Sequence, residues 1–98
     1  GGLHAPSTIA ITDVEIIQIP FGNSTLNNLR ITYSGYSNIS KTILLEVLHN
    51  EGWTPWENFG NVIGNFADTK DTGTAYAQVG KQIRLKMGTI YSDIYTVS

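Results

Sequence analysis

The 98-residue chain contains no cysteine, so a disulfide framework, a thiolate metal site and a cysteine nucleophile are all excluded. Charge is scarce as well. Asp, Glu, Lys and Arg make up 14% of the residues, against roughly 25% in an average domain. The net charge is −2 and no stretch is rich in Lys or Arg, which removes the electrostatic basis for nucleic-acid binding. No apolar run reaches the length of about 18 residues that a membrane-spanning helix needs, so membrane insertion is not expected. Histidine is confined to His4 and His49.

Thr, Ser, Asn and Gly stand where charge is missing. Thr suits a pleated surface while Asn and Gly suit turns, so this exchange favours strands over long helices. Apolar residues at 41% and aromatic residues at 10% suffice for one modest core, and the length fits one domain. The opening "GGLHAPS" reads as a linker, which puts a boundary after residues 1–6 and a single domain over 7–98, expected to be a piece of a longer protein. Zero cysteines with low charge is compatible with the cytosol, a virion or a Gram-positive cell surface; the setting expected for such a module is extracellular, at the cell surface or in a virion.

Residues 7–20, "STIAITDVEIIQIP", read as a β-branched strand closed by Pro20, with a bulge where the alternation breaks at Thr12 and Asp13. A turn is expected over 22–28. Residues 28–34 alternate, with Leu29, Ile31 and Tyr33 on one face and Arg30 and Thr32 on the other. "GYSN" (35–38) reads as a second turn, and the apolar 39–50 as a central strand. Val62, Ile63 and Phe66 suggest a further strand, "DTKDTG" (68–73) a loop and 74–79 another strand. Residues 81–88 place Ile83, Leu85 and Met87 inward, with Arg84 and Lys86 outward. Residues 89–98 read as a last strand. About seven short strands without a helical period point to an all-β fold, an antiparallel β-sandwich.

Chemistry-bearing constellations are few. His49 beside Asn50 at a strand end reads as a surface residue rather than the base of a nucleophilic triad. "GTAYAQVGK" (73–81) has the wrong glycine spacing for a phosphate loop, and Gln82 where Ser or Thr should hold magnesium. Glu46, Glu51 and Glu57 flank a tryptophan-rich segment but read as solvated carboxylates rather than a glycosidase pair. Asp68 and Asp71 could offer oxygen ligands to calcium, yet Lys70 lies between them. Two sequons, Asn23-Ser24-Thr25 and Asn38-Ile39-Ser40, fall in expected turns. The reading is therefore non-catalytic, with no cofactor and no metal.

The densest aromatic segment is "GWTPWENFG" (52–60). A spacing of three puts Trp53 and Trp56 on opposite faces of a strand, and Pro55 places that strand at an edge or in a loop. One reading buries both, one in the core and one under a loop. The other leaves one exposed beside Tyr36 or Tyr76: Trp53 then enters the core and Trp56 stands outside, as an aromatic platform with Glu57, Asn58, Asn61 and Tyr36. Such a platform would stack on sugars or serve as a docking hot spot.

The closing "GKQIRLKMGTIYSDIYTVS" (80–98) and a large aromatic just past mid-chain resemble the fibronectin type III and immunoglobulin-like superfold. That resemblance implies a sandwich module serving as a spacer, an adhesive unit or a carbohydrate binder. "GWTPWENFG" also resembles the W-x-x-W-E-x-x-G blade signature of fucose-binding propeller lectins, but a propeller needs several copies and this chain has one. The expected partners are other domains of the same protein or assembly partners, in structural spacing, assembly or docking. The alternative is a polysaccharide held at Trp56.

Overall fold

The computed structural model describes residues 7–72 and 79–98. Its described residues form one curled antiparallel sheet of six strands, and no second sheet packs across it. The all-β antiparallel class agrees with the sequence; the sandwich of about seven strands is replaced by fewer and longer ones. These are β1 (Thr8–Phe21), β2 (Ser24–His49), β3 (Gly52–Asp71), β4 (Gln82–Met87), β5 (Ile90–Tyr91) and β6 (Tyr95–Thr96).

β2 is the hub. Along one flank it pairs with β3. Along the other its first half pairs with β1 and its second half with β4. β4 in turn pairs with β5 and β6. Between Ser37 and Lys41 three residues of β2 face Ile63 alone on β3, a bulge that bends the sheet and brings its two halves around one core. The alternation expected for 28–34 and 81–88 holds. Leu29, Ile31, Tyr33, Ile83, Leu85 and Met87 are buried, together with Ile43, Leu45 and Val47 of the second half of β2.

The turn expected over 22–28 is confined to Gly22 and Asn23, with β2 starting at Ser24, and the turn expected over 35–38 and most of the loop expected over 68–73 are strand instead. Gly35 lies within β2 opposite Ile9. A Cβ there would overlap the Thr8 carbonyl oxygen and come within 2.7 Å of the Phe66 ring. This glycine therefore serves a close approach rather than a turn. Asp68 to Asp71 extend β3, because Arg30 and Thr32 opposite them supply partners: Arg30 Nε donates to Asp71 at 3.0 Å, and the Thr32 and Thr69 hydroxyls lie 3.1 Å apart. The single last strand expected over 89–98 is split into β5 and β6. The Leu85 N–H donates to the Ser92 hydroxyl at 2.8 Å, so a side chain stands where the ladder would continue. The strand expected over 74–79 lies almost wholly outside the described residues. The bulge expected near Thr12 is present, with the register shifting between Ile11 and Asp13.

Candidate functional site: a cation sandwich, a cleft and a projecting arm

The aromatic-rich segment resolves into bulges. β3 has one extra residue between the pairs Ile43–Gly60 and Leu44–Asn58, and another between Leu45–Glu57 and Glu46–Pro55. The extra residues are Phe59 and Trp56. Phe59 is buried and stacks on Tyr33, with ring centroids 5.6 Å apart. Trp56 is half-buried and packs against the core cluster. Both tryptophans are half-buried, so neither stands fully outside, and it is Trp56 rather than Trp53 that meets the core, because each bulge resets the alternation on which a spacing of three relies.

Trp53 lies on the outer face, opposite Leu48. There the Arg84 guanidinium sits 4.2 Å from the Trp53 ring centroid and 4.0 Å from that of Tyr91. Arg84 Nε donates to Glu46 Oε1 at 2.8 Å, and register places those two residues opposite one another on β2 and β4. Glu46 is only 5% exposed. One cation thus ties β2, β3, β4 and β5 together through a charge-assisted hydrogen bond and two ring faces. The sequence held a signal for it, since a lone acid within the apolar "TILLEVL" (42–48) requires a cationic partner once buried.

The residues proposed from sequence as a platform are not gathered. Tyr36 pairs with Asn65, whereas Trp56 lies beside Glu57; that is eight residues along β3, about 27 Å at 3.4 Å each. The Asn58 side-chain oxygen accepts the Gly60 N–H at 2.8 Å, and the Asn61 oxygen accepts the Thr42 hydroxyl at 2.7 Å. Glu57 is half-buried opposite Leu45. Tyr76 and His4 lie outside the described residues. Asp68 accepts the Thr69 N–H and pairs with Lys70 at 3.3 Å. These contacts hold its carboxyl below the usual carboxylate range, the backbone hydrogen bond contributing most. Among the described residues no group of three or more His, Asp or Glu could hold a metal ion. Asn23 and Asn38 of the sequons are both exposed.

Two further features stand out. A cleft of about 140 Å³ lies between the start of β1 (Ile9, Ala10, Ile11) and the β5–β6 region (Tyr91, Asp93, Ile94, Tyr95). Tyr91 is 45% exposed and Ile94 55%. The second feature is the β1–β2 ribbon beyond the last β2–β3 pair, Arg30–Asp71. The Ile16–Leu29 pair still packs on the core, and five further pairs run from Ile17–Asn28 to Phe21–Ser24, an arm about 17 Å long. Gly22, at φ +58°, closes its tip. Thr72 fastens its base: its N–H donates to the Leu29 carbonyl at 2.8 Å, its hydroxyl accepts the Leu29 N–H at 3.2 Å and donates to Asn28 at 3.0 Å. Residues 16–29 carry no charged side chain. Alternation puts Ile17, Ile19 and Phe21 on one face, with Leu26 opposite Ile19; Ile19 is 38% exposed and Phe21 65%.

No family model matches the chain, and no curated protein or solved structure is significantly similar to it.

Proposed function

We propose that the chain is a non-catalytic docking module that engages an assembly partner through the β1–β2 arm. One observation carries the reading: a fastened, uncharged ribbon ends in an exposed Phe21 and Ile19. Other apolar side chains, Ile39, Ile63 and Val79 among them, are exposed as well, but Ile19 and Phe21 share one face of a projection, and neighbouring exposed apolar side chains mark interaction surfaces. An isolated two-stranded ribbon is marginal in water, so a projecting arm gains stability when a partner covers it. The antiparallel all-β architecture is compatible with the immunoglobulin-like and fibronectin-III-like modules that the closing stretch resembles. A spacer or assembly unit of an extracellular, cell-surface or virion protein is the setting that reading implies.

The test separates docking from structural roles and from polysaccharide binding. The Ile19→Thr/Phe21→Thr double variant should shift stability by no more than about 0.5 kcal/mol, as surface changes do, which is a change in Tm of a few degrees at most. It should also lose the binding of a hydrophobic dye that the parent chain shows. A loss of stability on the scale of a core truncation, about 2–5 kcal/mol, would make the arm part of the fold and overturn the proposal. Protection of tryptophan fluorescence from acrylamide by one soluble polysaccharide would move the reading to carbohydrate binding.

A further inference from the structure

We infer that the partner of the arm is a second copy of this chain, whose β1–β5 cleft receives Phe21 in a head-to-tail contact. The inference rests on the docking role of the arm and names its occupant. Knob and hole lie on the same strand. Phe21 is ten residues from Ile11 along β1, about 34 Å at 3.4 Å per residue, so they cannot meet within one chain. Their sizes match. The cleft measures about 140 Å³, and an apolar cavity of about 150 Å³ accommodates a benzene ring. The mouth of the cleft carries Ile94, which is 55% exposed, and the free part of Tyr91, one face of whose ring lies against Arg84.

Charge does not oppose the contact. The cleft is lined by one charged residue, Asp93, and the arm brings no acid to face it. The arm tip instead carries exposed Asn23, whose amide can donate a hydrogen bond. The other long edge of the sheet is poorly suited to pairing. Along β3, Pro55 removes a donor and three register shifts interrupt the strand, both of which discourage edge-to-edge contact. Stable interfaces bury about 1,200–2,000 Å² with roughly 20–30 residues a side; a contact centred on one side chain is smaller and weak, with a Kd on the order of 10 μM to 1 mM. A head-to-tail contact leaves a free tip and a free cleft at its ends, and so builds rings or open chains of copies.

Sedimentation velocity on the full chain, from micromolar to millimolar concentration, tests this. The parent chain should rise in average mass past the dimer. Phe21→Ser, which lacks the knob, and Ile94→Arg, which obstructs the cleft mouth, should each stay monomeric with unchanged circular dichroism and melting. Mixed one to one they should form a heterodimer that grows no further, since one variant keeps an intact cleft and the other an intact knob. A parent chain monomeric throughout overturns the inference while leaving the docking reading to its own dye and stability test. Association that survives Phe21→Ser, or a mixture that stays monomeric, overturns it too, the former in favour of β1 edges pairing with one another. If Ile94→Arg alters the fold, Ala10→Arg, at an exposed position on the other wall, replaces it with the same expectations.

Discussion

Tyr33 shows how one residue joins packing to ionisation. Its ring is buried, stacked on Phe59 and tilted against Phe66 at 6.2 Å. Burial pushes its phenol up to about 12, with the Asp68 charge adding to the effect. A phenol raised in the folded state stabilises the fold below its unfolded value, near 10, and that stability is lost as pH rises through about 12. Absorbance at 295 nm should therefore show one tyrosine titrating late, near pH 12 or together with alkaline unfolding, and Tyr33→Phe should remove that phase. Gly35 is the second sensitive residue. Gly35→Ala must displace both the Thr8 backbone and the Phe66 ring, and overpacking of this kind costs about 1–3 kcal/mol. A thermal melt should show the loss; an unchanged Tm would mean that the β1–β2 spacing relaxes freely.

Among the elements, the outer-face strut is the one whose parts can be measured separately. Glu46→Ala leaves a partly buried guanidinium without its acid. Breaking a fully buried pair costs about 3–5 kcal/mol; Arg84 keeps some solvent access, so roughly 2 kcal/mol is expected. Trp53→Leu removes one ring face, at about 0.5–1 kcal/mol. A double-mutant cycle between Glu46 and Arg84 should give a coupling above the roughly 0.5 kcal/mol seen for independent sites; coupling near zero would reduce the strut to ordinary surface packing. How legible these elements were follows from whether one face is buried. Residues 28–34 and 81–88 alternate against a core and were readable to the residue. Residues 35–40 and 64–71 carry Gly, Asn, Ser and Asp because bulges, a close approach and cross-strand polar pairs need them, and from sequence that chemistry is indistinguishable from a turn. The strut was half visible: Arg84 was placed outward, but its two rings come from β3 and β5, whose meeting depends on the path of the sheet.

At the scale of the whole molecule, the arm and the curled sheet give principal extents of 61 × 27 × 19 Å, and the class, strand count and shape separate in how far sequence reaches. Composition and period two fix the class. The count depends on whether Gly35 and Asp68 interrupt strands, and the shape depends on the bend at Ser37–Lys41. That bend has a further consequence. The β1 ladder ends at Tyr36 and the β4 ladder begins at Ile43, and residues 38–40 have no cross-strand partner on β3. This is a built-in seam. Severed between Ile39 and Ser40, the chain would yield a hairpin of β1 with half of β2, and a second piece holding the other half of β2, β3 and the remaining strands. Because β3 pairs with both halves of β2, it acts as a splint across the cut. The two pieces, produced separately and mixed, should reassemble into a complex with the parent chain's circular dichroism, whereas a cut within Ile43–Val47 should not heal. Failure of the first pair to reassemble would mean that the two halves of the sheet are held by chain continuity rather than by their shared neighbour.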